Sequence, residues 1–366
     1  MKKVGVVLWI VLWAVGVAGW SVSICDYKSP ETSLIDARLS FSYRYYDDAA
    51  TEGIEVNSGR LAADYDQLYG SLNYAYAITG IAELSLDDFM PAGWLGQAGA
   101  TFRYYPMEES LLFAFGDLQA SIATGQLRPG VEVRFGGGLG RFYDVTPMAK
   151  AVQMQRELLN LGVLSGNLSN DVLMAVAGII GRSIEYETVK ELVADIETLV
   201  EADAAVELDA QATLTLEEIV QRTGDDRQCG WALQAGIGYE LVDPFGNPQN
   251  VIVAGSANAA FAFSPDDQMK LYADASGPFE FLSEHTLSAG LSYEVDVSDD
   301  MTLIADYSLQ QVKPADATPN LSHAAGLSLS FDLGGADVLL QVALTQDAGD
   351  PGWSLDISIS AAMDLL

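Results

Sequence analysis

The feature that most constrains this sequence is a strict alternation of apolar and polar residues, which recurs along most of the chain. In the clearest segment, residues 285–297, the odd positions are apolar from Leu287 onward and the even positions carry Thr, Ser, Gly, Glu and Asp. A period of two places successive side chains on opposite faces of a β-strand. Fourteen such strands are predicted, at residues 34–46, 59–69, 71–85, 93–105, 110–124, 128–143, 230–241, 250–263, 268–277, 285–297, 301–312, 321–333, 336–346 and 353–366.

Long amphipathic strands fit either a soluble sandwich or a transmembrane barrel. Their length favours the barrel, because about 9–11 residues span a bilayer whereas strands of globular proteins average about 5–6. The connections also alternate in length. With the mature N-terminus in the periplasm, longer connections such as 47–58, 86–92 and 242–249 face outside, and tight ones such as 264–267 face the periplasm. Short periplasmic turns and longer external loops are typical of outer-membrane barrels.

In this pattern the chain resembles bacterial outer-membrane β-barrel proteins as a general class. The resemblance implies a mainly β fold: a transmembrane antiparallel up-and-down barrel of about fourteen strands in the outer membrane of a two-membrane bacterium. It also implies contact with outer-membrane lipid and insertion by the barrel-assembly machinery. The chain departs from the class at its last residues, Met363, Asp364, Leu365 and Leu366, because such proteins usually end on an aromatic residue. We therefore expect its assembly signal to differ in detail.

The first 19 residues are predicted to be a secretory signal peptide. Lys2 and Lys3 form a basic start, residues 4–17 are almost wholly apolar, and small residues precede a cleavage site ahead of Trp20. An uncleaved membrane anchor is the alternative, although the apolar run is short for a spanning helix of about 20 residues. Lipidation of Cys25 is disfavoured by the bulky Ile24 that precedes it. The mature chain is thus expected to be exported.

Between strands six and seven the hydrophobic period changes to that of a helix. Thr146 is predicted to cap a first helix, with Pro147 at its first position and Gly162 at its end. Ser169 is predicted to cap a second helix. We therefore divide the mature chain into three parts, which are barrel strands one to six in 20–146, a helical insertion in 147–227 and barrel strands seven to fourteen in 228–366.

The second half of the insertion predicts two more helices. One starts near Ile184, and Thr215 with Glu218 forms a capping box for the last. Because the insertion follows an even-numbered strand, we expect it in the periplasm, as a small bundle or as a plug of the lumen. Its acidic residues indicate a solvated face or, alternatively, a surface that binds a periplasmic protein or the cell wall.

Composition excludes several functions. The chain has 51 Asp and Glu residues against 18 Lys and Arg, a net charge of −33, and so acidic a surface repels nucleic acid. Two histidines and two cysteines cannot build a disulfide scaffold or a cysteine zinc site, so we expect no metal and no cofactor. Cys25 and Cys229 both fall on the periplasmic side. Either a disulfide or two free thiols fits the sequence.

The polar residues of the alternating strands face the lumen in a barrel of this kind, and they predict a lumen wall whose two halves differ in charge. The first six strands supply arginines, namely Arg38, Arg44, Arg60, Arg103 and Arg134. The last eight supply mainly acids, among them Asp274, Glu294, Asp296 and Asp306. We expect a transverse electric field across a water-filled pore, with net acidity favouring cations. The alternative is that opposed charges pair and fill the lumen.

These features indicate a porin-like channel for ions or small polar solutes. We do not expect an enzyme. A structural or tethering protein, whose helical insertion binds a periplasmic partner, is the second hypothesis. An outer-leaflet lipid hydrolase is the third, because His285 and His323 lie at the outer ends of strands in the lipid-facing phase. Interfacial anchoring is the simpler interpretation of both histidines. The glycine-rich run 136–140 lacks a βαβ context and predicts a strand bend instead of a nucleotide loop.

Overall fold

The fourteen predicted strands are present and form one closed barrel. The computed structural model describes residues 23–29, 31–46, 56–107, 110–222, 226–298, 300–332, 337–348 and 352–364. Every strand is antiparallel to its neighbours in sequence, and β1 pairs with β14 to close the barrel. The strands are β1 Thr32–Tyr46, β2 Val56–Gly70, β3 Tyr74–Asp87, β4 Met90–Tyr104, β5 Leu112–Ala123, β6 Gly130–Asp144, β7 Gln228–Val242, β8 Val251–Ser264, β9 Asp267–Pro278, β10 His285–Ser298, β11 Met301–Lys313, β12 Asn320–Asp332, β13 Asp337–Gln346 and β14 Ser354–Asp364.

The apolar face of the strands is the outer face of the barrel. In β14 the side chains of Leu355, Ile357 and Ile359 are 62%, 64% and 71% exposed, and polar residues alternate with them. The inner face is identified by a contact between strands that are not neighbours, in which Arg103 of β4 donates to Gln234 of β7. A barrel with an apolar outer face and a polar inner face has the arrangement of a transmembrane barrel.

The connections sort into two ends of the barrel. Both described termini, the tight turns after β8 and β10, and the helical insertion share one end, which is therefore the periplasmic end. One predicted outer loop is wrong. Residues 86–92 were expected to form a longer connection, but β3 continues to Asp87 and β4 begins at Met90. Asp88 and Phe89 both have positive φ, which is the geometry of a two-residue type I′ hairpin turn.

The insertion between β6 and β7 is helical, as predicted. Ser169 caps the second helix through a hydrogen bond from the Val172 amide, again as predicted. Thr146, in contrast, does not cap the first helix. It lies inside the first turn, and its hydroxyl accepts the amide hydrogen of Arg227. The four helices are α1 Thr146–Asn160, α2 Asn170–Ile180, α3 Val189–Ala204 and α4 Ala210–Gln221.

The starts of the last two helices differ from the prediction. Ile184 lies in a short 3-10 turn, and α3 begins after Thr188, whose hydroxyl accepts the Glu191 amide hydrogen. The capping box at Thr215 is wrong, because the helix starts earlier, at a cap formed by Asp209. Thr215 is inside α4 and donates its hydroxyl to the carbonyl of Gln211. An aspartate is as good a cap as threonine, so the earlier signal prevails.

The four helices share a core that continues onto the barrel. None of the helices in the described ranges is long and apolar enough to cross a membrane. Their buried side chains include Met148, Val152, Leu158, Val176, Ile179 and Ile180. Ile24 and Tyr27 of the N-terminal segment join this core, as do Cys229 at the start of β7 and Ala262 near the end of β8. The bundle is therefore seated on the barrel wall. The predicted signal peptide, 1–19, lies outside the described residues.

Candidate functional site

The lumen wall formed by β8 to β14 is acidic and lined with small side chains. Asp274 of β9 lies between Ser256 and Ser288 on the neighbouring strands. Asp306 of β11 lies opposite Ser292 on β10. Within the described ranges neither carboxylate forms an ion pair, and no group of three or more metal-ligating side chains occurs. This arc therefore presents carboxylates to the lumen that form no direct ion pair within the described ranges, and the charge of Arg134 acts on Asp274 only at longer range.

The arginines of the opposite arc are paired locally. Arg60 Nη2 lies 2.5 Å from Glu83 Oε2 on the adjacent strand. Arg134 contacts Glu132 on its own strand, and its Nη1 lies 4.0 Å from Asp117 Oδ2. These acids reduce the positive potential that the arginines project into the lumen. The positive side of the predicted transverse field is consequently weaker than the arginines alone would make it. The field itself stays a prediction. Arg38 also has an interaction partner, and the side chain of Arg44 lies outside the described residues.

Glycines of β6 and β7 make room for two phenylalanine rings inside the barrel. Phe113 and Phe115 of β5 are buried on the inner face. A Cβ at Gly138 would overlap the ring of Phe113, and a Cβ at Gly236 would lie 2.9 Å from Cζ of Phe115. The glycine-rich run therefore lets aromatic rings lie against the backbone of the wall. This contact also explains why apolar and polar residues alternate poorly in the sequence of β5. Its inner face is apolar because the two phenylalanine rings pack on the glycine backbone of β6 and β7.

Two arginines extend this aromatic cluster toward the periplasmic mouth. The Arg103 guanidinium lies 5.3 Å from the centroid of the Phe113 ring, and that of Arg141 lies 3.9 Å from the Tyr105 ring. Arg103 Nη2 donates to Gln234 Oε1 at 3.2 Å, and Arg141 Nη2 donates to the carbonyl of Leu72 at 2.8 Å. Such cation–π contacts stabilise arginines away from water. The cluster lies on the inner wall along β4 to β7. Sequence reasoning predicted Arg103 and missed Arg141.

Arg227, which sequence reasoning also missed, pairs with two of the predicted lumen acids. Its side chain is fully buried. Nη1 lies 2.9 Å from Glu294 Oε1, and Nη2 contacts Asp296, so both acids of β10 are paired. Nε donates to the carbonyl of Pro265 at 3.0 Å. The sequence signal that could have indicated a role for Arg227 is its position directly before β7, at the end of the helical insertion.

The residues around Arg227 lie on the inner face of the barrel. Gln268 of β9 is buried on that face, where it accepts the amide hydrogen of Gln228 at 3.1 Å and donates to the carbonyl of Asp226 at 3.0 Å. A disulfide joins Cys229 to Cys25, with the two Cα atoms 5.4 Å apart. The chain therefore crosses part of the periplasmic mouth before it enters β7.

Cavities lie along the inner wall and at the periplasmic end. One of about 490 Å³ lies in the outer half of the lumen and is lined by polar groups that include Gln97, Gln119 and Glu132. A second, of about 320 Å³, shares Glu132 and Glu240 with the first. A third, of about 190 Å³, lies between α1 and the periplasmic turns of β8 to β11. Space is therefore available both in the outer half and at the periplasmic end.

The two histidines lie at the outer rim without the partners of a hydrolase. His285 Nδ1 contacts the carbonyl of Phe281 at 2.8 Å, and its Nε2 lies 3.2 Å from Gln311 Nε2. His323 Nδ1 lies 2.8 Å from the hydroxyl of Tyr307. Across the part of the chain that the structure describes, neither ring hydrogen-bonds a serine or a carboxylate. These contacts fit interfacial anchoring on the lipid-facing side.

These features together decide the class of the molecule: a closed barrel, an apolar exterior, a polar interior and both described termini at one end. It is an outer-membrane β-barrel. No protein-family model matches the chain, and no curated protein matches it. The predicted general class is thereby confirmed by the fold, and no narrower family is indicated.

Three solved structures with similar strand arrangements are distant in sequence. The anion-selective porin from Comamonas acidovorans is 8% identical, with a TM-score of 0.37, over 92% of this chain and 100% of that one. A loop-deletion mutant of OmpT, an outer membrane protein of Vibrio cholerae, is 9% identical, with a TM-score of 0.34, over 92% and 99%. The translocator domain of autotransporter NalP from Neisseria meningitidis is 8% identical, with a TM-score of 0.26, over 93% and 89%. Likeness at this level carries no argument about solute or activity.

Proposed function

We propose that this barrel is an outer-membrane channel for small ions and polar solutes and that it prefers cations. The observation that carries the proposal is the pair of lumen carboxylates, Asp274 and Asp306, which form no ion pair within the described ranges. Unpaired acids on a pore wall attract cations and repel anions. The arginines opposite them cancel this effect only in part, because Arg60 and Arg134 already contact acids of their own arc and Arg134 acts on Asp274 only at longer range.

The shape of the lumen supports passage instead of a filled core. The inner positions beside the two carboxylates are Ser256, Ser288 and Ser292, whose short side chains leave space. The cavities of about 490 and 320 Å³ share lining residues and so form one polar space in the outer half. A water-filled space of this polarity lets ions keep most of their hydration, which lowers the cost of entry.

The test is the reversal potential of the refolded protein in a planar bilayer under a KCl gradient. We expect steady, cation-selective conductance. The double variant Asp274→Asn/Asp306→Asn should lose most of that selectivity while it keeps its conductance, because it removes charge without changing volume. The matched control is Asp316→Asn, which removes one carboxylate from an outer turn between β11 and β12.

Two results would contradict the proposal. One is the absence of conductance from protein whose barrel is shown to be folded. The other is a double variant whose reversal potential equals that of the unmodified protein and of the Asp316→Asn control. In that case the selectivity would arise elsewhere, and the two carboxylates would have no role in it.

A further inference from the structure

The helical bundle is attached to the inner rim of the barrel and not only to the ends of β6 and β7. Its exit segment crosses the inner face of β9, where Gln268 contacts the backbone of Asp226 and Gln228. Arg227 then reaches Glu294 and Asp296 on β10, three strands from β7. A bundle that extended freely into the periplasm would not need a buried arginine at this place. The bundle therefore covers the mouth beneath β7 to β10.

The N-terminal segment 23–29 holds the same bundle beside the periplasmic ends of β7 and β8. Ile24 and Tyr27 are buried in the helical core, and the Tyr27 hydroxyl donates to the carbonyl of Ala177 in α2 at 3.2 Å. Cys25 of this segment forms the disulfide with Cys229 at the root of β7. The segment consequently connects helices and barrel through one covalent bond and two buried side chains.

A third contact lies at the edge of the covered area. Arg156 of α1 forms a bidentate pair with Asp266 in the turn between β8 and β9, with Nη2 2.9 Å from Oδ1. Beside this pair is the cavity of about 190 Å³, which is lined by Lys150, Gln153 and Thr302 among others. It is a space at the periplasmic end of the lumen that the bundle does not fill.

We propose that the helical bundle is a cap on the periplasmic mouth, latched by the Cys25–Cys229 disulfide, and that its seating limits the conductance of the channel. The inference rests on the proposed channel function and adds a regulation of that channel. With the disulfide intact, segment 23–29, Arg156 and Arg227 hold the cap on the rim. When the disulfide is reduced by two electrons and two protons from an added dithiol, segment 23–29 keeps only its non-covalent contacts. The equilibrium then shifts toward an unseated cap. The disulfide stabilises only the seated cap, so its loss destabilises the seated cap and leaves the unseated cap unchanged.

The experiment compares the folded, oxidised protein with the same protein after treatment with dithiothreitol. Two quantities are measured: conductance in a planar bilayer, and amide hydrogen exchange of Arg227 and Gln228. We expect reduction to raise the conductance several-fold and to accelerate exchange of these two amides, which donate to Thr146 of α1 and to Gln268 of β9 while the cap is seated. Asp266→Asn should act in the same direction without any reductant, because it removes the partner of Arg156.

The matched control is Glu157→Gln, which removes the exposed contact of 3.6 Å between Arg156 and Glu157 and leaves the Asp266 pair in place. It should change neither quantity. Equal, measurable conductance in the oxidised, reduced and Asp266→Asn proteins would overturn the cap proposal and leave the channel intact. Faster exchange without a change in conductance would overturn it as well. No conductance in any form would instead refute the channel function itself.

Discussion

Replacement of Arg227 by methionine should destabilise the protein strongly, because it leaves two acids without their partner. The Arg227 side chain is fully buried, and those of Glu294 and Asp296 are 24% and 18% exposed. Breaking a buried ion pair by removing one partner costs about 3–5 kcal/mol. Since both acids keep some contact with solvent, we expect the lower end, about 3 kcal/mol, which is a shift of roughly a hundred-fold in the unfolding equilibrium.

The cost arises from the two acids that lose the charge of Arg227 and not from the lost arginine itself, and this distinction can be tested. The triple variant Arg227→Met/Glu294→Gln/Asp296→Asn keeps the volume and removes all three charges. A buried pair replaced by neutral groups of similar size is often nearly neutral for stability, so the triple variant should recover most of the loss.

Urea unfolding and refolding in lipid vesicles, followed by tryptophan fluorescence, gives the difference in free energy at an unchanged m-value. A single variant that loses less than about 1 kcal/mol would mean that the pair is worth no more than a surface salt bridge. A triple variant as unstable as the single one would show that the packing of Arg227, and not charge, carries the effect.

Two further predictions concern a glycine of the wall and an acid of the mouth. A Cβ at Gly290 would overlap the ring of Tyr272, which supplies its three nearest atoms, so Gly290→Ala should cost about 1–3 kcal/mol, and Tyr272→Ala in the same chain should remove most of that cost in a double-mutant cycle. Burial, followed by the charge of Asp144, raises the pKa of Asp226 above its ordinary value. The native state therefore binds more protons than the unfolded state, and stability falls as the pH rises through the raised pKa. Asp226→Asn should flatten this part of a stability profile measured against pH; an unchanged slope would contradict the assignment.

The strands could be predicted because alternation is a local property. Residues 285–297 were predicted as a strand with the odd positions outside, and β10 spans His285–Ser298 with the same orientation. A membrane strand must place an apolar side chain toward lipid at every second residue, so the pattern survives whatever the rest of the barrel does. The predicted helix starts at Ile184 and Thr215 were less secure, because several residues near each start can cap a helix and packing of the bundle selects one.

The candidate site was predicted only in part. The sequence placed Asp274 and Asp306 in the lumen phase, and the structure leaves them there without ion partners in the described ranges. It also placed Glu294 and Asp296 there, but no local signal indicated that Arg227 would neutralise them. The contact between Gly138 and Phe113 was missed for the same reason. Each residue departs from the expected alternation when it is considered alone, and the departure makes sense only when the ring is seen to lie against the glycine.

Periodicity and composition are readable along the chain, and they suffice to predict the number of strands, their inner and outer faces, the end at which the helices emerge and the acidic character of the lumen. The folded barrel is needed to show which charges are paired, which rings cover the wall and that the helices contact the rim. Closure of the barrel brings together side chains such as Arg227 and Glu294, which are 67 residues apart in the chain. Coulomb and packing energies depend on distance in space and not on separation along the chain, so no local pattern reports them.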